Sequence, residues 1–343
     1  MASPDNVRMS LAAAMTLGLK RGLFYRNAKL GCINLLMEYD DGCMANCQYC
    51  GQGREMSETP DCRSLIRVEW PSYPLDEVIE AINTASVERP YISRVCVGSI
   101  CHKRAPEDML HIVRRIKAET DKQVSTLVTP TVFGRAEMEA VRDAGVENMT
   151  VAVDCSTPDL FDQMRGKTAM GPHKWDTYIE GIRTAVDVMG PGSNAVGVHL
   201  IIGLGETEEE AIDFIQQCYD MGARVHLFSF YPEVGSPMED MGQPPMEAYR
   251  HAQMARHLFD TGQSRFEVMT FKDGRVVDYG VPEAVIDDIL EKGHAFMTTG
   301  CPGCNRPFAN ETPSQAAEGL LRNYPFVPTE EDTTLIRQQL RAR

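Results

Sequence analysis

Two kinds of hydrophobic pattern alternate along the chain. Short continuous runs rich in Val, Ile and Leu cover 32–39, 92–97, 123–128, 148–153, 196–202, 224–230 and 266–270. Unbroken apolar runs of this length are how strands buried on both faces read in a parallel sheet. Between them, apolar residues recur at helical spacing. Over 75–86 they are Val78, Ile79, Ile82 and Ala85, and over 106–119 they are Met109, Leu110, Val113 and Ile116. Further helices are predicted over 135–144, 174–189, 208–221 and 246–261. Thr207 opens one of them with Glu210 three residues on, the pattern of a capping box. Thr157–Pro158 offers a hydroxyl cap followed by Pro in the first turn.

Strand and helix alternate repeatedly, so a βαβ series with right-handed crossovers is expected. The predicted fold class is α/β, a partial or complete (β/α) TIM-like barrel with an irregular C-terminal segment. The expected division is an N-terminal helical extension over 1–30, the barrel over 31–297, and a cysteine-containing segment over 298–343 packed on it. The extension rests on "LAAAMTLGLKRG" (Leu11 to Gly22). It is short for a signal-peptide core, and Lys20 and Arg21 stand where a cleavage site belongs.

Charge narrows the partners. The 343 residues carry 34 Lys and Arg against 49 Asp and Glu, a net −15. A general nucleic-acid binder needs a basic surface, so that class is disfavoured. No apolar run approaches the roughly 18 residues that span a bilayer. A cytoplasmic protein without membrane partners is expected. Eleven cysteines in a chain of this size, several at ligand spacing, point to metal or catalysis more than to disulfides.

The strongest cluster is "CMANCQYC", Cys43, Cys47 and Cys50, directly after the first predicted barrel strand. Three thiolates so spaced can hold three irons of a cubane and leave the fourth open. Loops at the C-terminal ends of barrel strands are where such folds place chemistry. A structural zinc loop with a distant fourth ligand is the alternative. The spacing, with Tyr49 before the last cysteine, resembles the radical S-adenosylmethionine (radical SAM) superfamily. That resemblance implies a radical SAM barrel, a [4Fe–4S] cluster, and S-adenosylmethionine (SAM) bound to its open iron. One-electron cleavage would give a 5′-deoxyadenosyl radical that abstracts hydrogen from substrate. It also implies cofactor contacts at Tyr49, at Gly203, Gly205 and Glu206 in "HLIIGLGET", and at Asp154 in "VAVDCSTP". Arg165 is a candidate for the SAM carboxylate or the substrate. Where the superfamily often has Gly-Gly-Glu, this chain reads Val97–Gly98–Ser99, which leaves the amine ligands of SAM open.

Within the superfamily the strand texture is most similar to the biotin synthase and lipoyl synthase group. Cys96, in "SRVCVGSICHKR", falls on an auxiliary-cluster ligand of biotin synthase. That enzyme's other auxiliary positions are here Ser125 and the stretch 195–198, so its [2Fe–2S] site cannot be rebuilt in the same way. "GCPGCNRPFANETP" supplies Cys301 and Cys304 near the end of the chain, and the tail resembles the two-subunit lipoyl synthases. The resemblance implies a second, auxiliary Fe–S cluster that donates sulfur to a protein-bound octanoyl chain. It also implies a sister radical SAM subunit, an octanoylated lipoyl-carrier protein, and an electron donor such as ferredoxin or flavodoxin.

The expected auxiliary ligands are Cys301 and Cys304 with Cys96 and Cys101, the last only if the chain turns sharply after Gly98. Ser125 or Ser99 is a further option. Cys32 is set aside because it starts the first barrel strand, at the far end from the first cluster. Cys155 and Cys218 read as buried structural thiols, and Cys62 is ambiguous. A zinc knuckle, a dithiol, an idle turn, or a non-catalytic zinc or Fe–S scaffold remain alternatives for the tail pair and the whole.

Overall fold

The computed structural model describes residues 2–56, 64–307 and 309–341, so Cys62 and Phe308 lie outside the described residues. The strands are β1 (Asn6–Met9), β2 (Cys32–Met37), β3 (Ser64–Leu65), β4 (Val68–Glu69), β5 (Ser72–Pro74), β6 (Arg94–Gly98), β7 (Gln123–Val128), β8 (Asn148–Asp154), β9 (Val196–Ile202), β10 (Arg224–Ser229), β11 (Thr270–Lys272) and β12 (Arg275–Asp278). The helices are α1 (Leu11–Thr16), α2 (Leu75–Glu88), α3 (Ala105–Glu119), α4 (Arg135–Asp143), α5 (Pro158–Arg165), α6 (Trp175–Met189), α7 (Glu208–Asp220), α8 (Met246–Asp260), α9 (Glu283–Lys292), α10 (Pro313–Ala317) and α11 (Glu330–Gln339).

Eight strands form one sheet in the order β10-β9-β8-β7-β6-β2-β1-β5. From β2 to β10 every neighbour is parallel and next in the barrel series. Helices on the outside make each crossover, which gives the expected (β/α) architecture. β10 and β5 end the order without pairing, so the barrel is partial. The helix faces match the sequence pattern. Val78, Ile79 and Ile82 of α2 are buried, while in α3 Ile112 is buried and Leu110 only half-buried. The capping boxes form: Thr207 Oγ1 accepts from Glu210 N at 3.2 Å, and Thr207 N donates to Glu210 Oε2 at 2.8 Å.

Two expectations are corrected. The segment 1–30 is not only helical, because β1 pairs antiparallel with β2 and extends the sheet before α1 begins. The run 266–270 is not a barrel strand. Phe266–Val268 is a 3-10 turn, and β11 pairs with β12 in a separate hairpin. The reason lies at the edge of β10, where the tail already satisfies backbone groups. Leu227 N donates to Thr299 Oγ1 at 2.8 Å, and Ser229 O accepts from Asn310 Nδ2 at 2.8 Å. A covered edge needs no further strand.

The tail then runs under the foot of the barrel. Arg94 Nε donates to Pro302 O at 2.9 Å, and Gly31 N to Asn305 Oδ1 at 3.2 Å. Gly303, at φ +84°, packs so closely that a Cβ on Gly31 would meet its carbonyl oxygen at 2.6 Å. Farther on, the buried Arg250 of α8 donates to Arg322 O at 2.7 Å and fixes the tail's return. Glu311, pushed up to about 7 by burial against the pull of Arg322, Arg250 and Arg67, accepts from Arg322 N at 2.5 Å.

Replacing Gly31 by Ala should therefore lift the tail from the barrel foot. The expected result is a loss of about 1–3 kcal/mol in denaturant unfolding and faster proteolysis after residue 297. Unchanged stability and proteolysis would show that the tail is not seated there.

Candidate active site

The first cysteine loop leaves β2 at its C-terminal end and is held on several sides. Met44 N donates to Cys101 O at 2.8 Å, Gln48 N to Met164 O at 2.9 Å, and Asn46 Nδ2 to Ala169 O at 3.0 Å. Two backbone amides point at sulfur: Ala45 N at Cys43 Sγ and Gln52 N at Cys50 Sγ, both at 3.4 Å. Such donors stabilise thiolate, as iron ligation requires. Burial pushes the Cys47 thiol up to about 11, against the pull of Arg165, and pushes Cys50 well up, with Cys47 adding to it. Iron binding would release these protons, so loading of the site rises with pH. Among the described residues no three His, Cys, Asp or Glu side chains converge on a single-ion position. A cubane asks for a wider spread, since each thiolate meets a different iron. Three thiols on one short loop, two of them approached by backbone amides, fit a cluster with an open iron.

Beside this loop the structure brings together Tyr49, Asp154 and Arg165. The Tyr49 hydroxyl donates to Asp154 Oδ2 at 2.6 Å, and Arg165 Nη1 donates to the same oxygen at 2.9 Å. Asp154 ends β8 at φ +67°, where the β8–β9 register shifts. A non-glycine residue in this region is a mark of a functional constraint. Arg165 is 4% exposed and also bonds Ala152 O, Val153 O (2.6 Å) and the Tyr178 hydroxyl (3.3 Å). Burial works to lower Arg165, but Tyr49, Tyr178, Asp154 and Cys47 outweigh it and hold it well above its ordinary value. Arg165 thus acts on the site through Asp154, which lines the central cavity with Tyr49.

The glycine motif is placed differently. Gly203 and Gly205 sit at φ +106° and +130°, and Gly203 presses on Pro244. Glu206 folds back to accept from Gly203 N at 2.5 Å and Leu204 N at 3.0 Å. Burial pushes Glu206 up, and these amides pull it back. It pins its own loop, and none of the three is among the residues lining the cavity.

The tail cysteines meet partners other than those expected. Cys301 and Cys304 join Cys96 and Cys32 low in the barrel. Burial pushes Cys96 up to about 12, with Cys301 and Cys304 adding to it. Cys32 is raised well above the ordinary range, first by its hydrogen bond to Cys304 and then by burial. Cys304 is lowered, first by that same bond and then by Arg306. Polar groups surround the sulfurs. Asn34 Nδ2 lies 3.9 Å from Cys32 Sγ, Arg306 Nη1 3.8 Å from Cys304 Sγ, and Thr150 Oγ1 3.7 Å from Cys301 Sγ. The Ser125 hydroxyl faces the Cys96 and Cys301 thiols and pulls both down, and Arg94 Nη1 is buried there without a hydrogen-bond partner. A guanidinium nitrogen left unsatisfied beside four thiols suits a bound anionic group.

The expected ligand Cys101 is corrected. β6 ends at Gly98, and the chain carries Cys101 to the opposite end, where Cys43 and Cys47 adjoin it and burial pushes it up to about 12. Sequence reasoning missed Cys32, Asn34, Arg94 and Arg306. The signal was the two-residue period of β2, which puts Cys32 and Asn34 on one face, with Asn34 opposite Cys96. One cavity of about 430 Å³ runs between the two thiol groups. Its wall includes Tyr49, Cys50 and Asp154 as well as Cys32, Cys96, Cys301 and Cys304.

A cysteine loop above a partial parallel barrel, with a carboxylate and a tyrosine at its lumen, defines an iron–sulfur enzyme that binds an organic cofactor beside its cluster. The Radical SAM superfamily profile matches residues 37–218, and the chain belongs to that superfamily. Membership implies a [4Fe–4S] cluster, which Cys43, Cys47 and Cys50 would ligate, and S-adenosylmethionine. The chain is similar to a biotin synthase of Psychrobacter sp. (strain PRwf-1), at 25% identity over 65% of this chain and 57% of that protein. It is also similar to a GTP 3′,8-cyclase of Limosilactobacillus fermentum, at 22% identity over 59% of this chain and 55% of that protein. The chain thus spans a little over half the length of these relatives. Its fold is similar to methylornithine synthase (PylB), with a TM-score of 0.50, 14% identity, and coverage of 71% of this chain and 66% of that one. Among the described residues no helix is long and apolar enough to cross a membrane.

Asp154→Ala should cost about 3 kcal/mol of stability, because it leaves the Arg165 charge buried and unpaired. Tyr49→Phe should cost about 1 kcal/mol, one hydrogen bond. Both should weaken SAM binding in anaerobic equilibrium dialysis without lowering the iron content. Unaltered SAM affinity in both would place the cofactor elsewhere.

Proposed function

We propose that this chain is a radical SAM sulfur-insertion enzyme, one subunit of a two-component lipoyl synthase acting on a protein-bound octanoyl chain. A second Fe–S cluster on Cys32, Cys96, Cys301 and Cys304 would serve as sulfur donor, with ferredoxin or flavodoxin as electron donor. The observation that carries the reading is the shared cavity, with one thiol group at each end and a largely hydrocarbon wall between. Similarity to the biotin synthases supports the same chemical class.

When bound, SAM on the first cluster supplies a radical able to take hydrogen from an unactivated carbon, and the second cluster, consumed as substrate, supplies sulfide. The chain's own residues set the conditions. Leu36, Leu127, Ile201 and Phe228 line the lumen and exclude water from a reactive carbon. His199 and His226 also face it. Burial pushes both down, His226 to about 3, so neither brings a charge beside the hydrocarbon near neutral pH. Arg306, 4.1 Å over the Phe228 ring, sets a positive charge next to Cys304. That charge offsets the negative charge of a thiolate-ligated cluster.

Anaerobic reconstitution should load about eight irons per chain, four for each cubane. Cys32→Ala or Cys304→Ala should bring this to about four, and Cys101→Ala should leave it at eight. Incubation of the reduced protein with an octanoyl-lysine peptide, alone and with a sister subunit, should give a peptide carrying added sulfur by mass. Deoxyadenosine without a carbon–sulfur product would point instead to a carbon-skeleton reaction.

A further inference from the structure

The cavity reaches solvent beside α1. Leu11, Ala12 and Met15 of α1, with Leu23 and Phe24 after it, line the cavity on this side. Leu23 is 95% exposed while lining it, so the cavity reaches solvent there. Leu65, Ile66, Arg67 and Val68, in the β3–β4 hairpin, also line the cavity, with Glu233 accepting from Arg67 N. A path bordered mainly by apolar side chains admits an unbranched hydrocarbon more readily than a polar substrate.

The segment that carries α1 and Leu23 is basic. Between Asn6 and Met37 the sequence holds Arg8, Lys20, Arg21, Arg26 and Lys29 and no Asp or Glu, in a chain of net charge −15. Three of the five have partners: Arg8 pairs with Glu38 at 3.1 Å, Arg26 with Asp332 at 2.9 Å, and Lys29 lies 5.2 Å over the Tyr91 ring. Lys20 and Arg21 are exposed and make no ion pair among the described residues. They immediately precede Gly22 and Leu23. An exposed apolar residue flanked by free cations, at the rim of a hydrocarbon-lined cavity, has the composition of a small docking surface.

We infer that the Lys20–Phe24 rim docks an acidic carrier domain and that the carrier's acyl chain passes over Leu23 into the cavity. This rests on the proposed acyl substrate and adds the place and polarity of the partner's approach. A carrier is favoured over a bilayer because α1 has only six residues, with Ala13, Ala14 and Thr16 buried and Leu11, Ala12 and Met15 turned to the cavity, which leaves it no apolar face to lay in a membrane interface. The two cations steer an acidic face, and Leu23 marks where the tethered chain must leave it.

The test is binding of an octanoylated acidic carrier domain to the reconstituted protein, followed by calorimetry at two salt concentrations. Lys20→Glu with Arg21→Glu should weaken binding at low salt roughly tenfold or more and remove the loss of affinity that added salt causes in the wild type. Turnover of the free octanoyl-lysine peptide should hold, which also shows that the variant is folded. Unchanged carrier affinity in the variant overturns the docking site. Binding of the wild-type protein to anionic lipid vesicles in place of the carrier also overturns it. So does a dimer of this chain that the charge reversal dissolves. Wild-type protein that makes no sulfur product from the peptide, yet binds the carrier through this rim, would defeat the sulfur-insertion reading and leave the docking site standing.

Discussion

The backbone-on-backbone approach of Gly303 to Gly31 is the contact on which the rest of the arrangement depends. No side chain fits between them, since a Cβ on Gly31 would lie 2.6 Å from the Gly303 oxygen. Because the tail can come this close, Cys301 and Cys304 reach the lumen from below and meet Cys32 and Cys96. The same segment covers the free edge of β10 through Thr299 and Asn310. An open barrel thereby gains a closed foot without a seventh parallel strand.

Charge is distributed to match. The surface is acidic overall, while arginines are kept inside at both ends of the lumen. Arg165 stands behind the first cysteine loop, held by Asp154 and backbone carbonyls. Arg94 and Arg306 stand beside the second group, bonded to carbonyl oxygens and facing thiols. A buried guanidinium needs a compensating anion or a full set of acceptors. Near thiol clusters that ligate iron, the clusters' negative charge is a natural complement.

Much of the fold was legible because its signals are local. The apolar runs and helical spacings located the six parallel strands, and "CMANCQYC" after the first of them identified the superfamily through its spacing. The membership of the second thiol group was harder to read. Spacing along β6 shows that Cys96 and Cys101 differ, but not from which end of the barrel a distant tail will arrive. The expectation grouped Cys101 with the tail pair and set Cys32 apart. The tail's path under the foot brings Cys32 to the pair and leaves Cys101 beside the first loop. The run 266–270 was misread for a related reason, since apolar content alone does not reveal that the neighbouring strand edge is already occupied. The motif at Gly203, Gly205 and Glu206 did not announce that Glu206 would satisfy the loop's own amides.

An anaerobic crystal structure of the reconstituted chain with SAM, phased on iron, tests the central claim most directly. Two cubanes should appear, one on Cys43, Cys47 and Cys50 and one on Cys32, Cys96, Cys301 and Cys304, both facing a single cavity. A single cubane with the four lower thiols free or holding zinc would contradict the account, as would a second cluster ligated by Cys101.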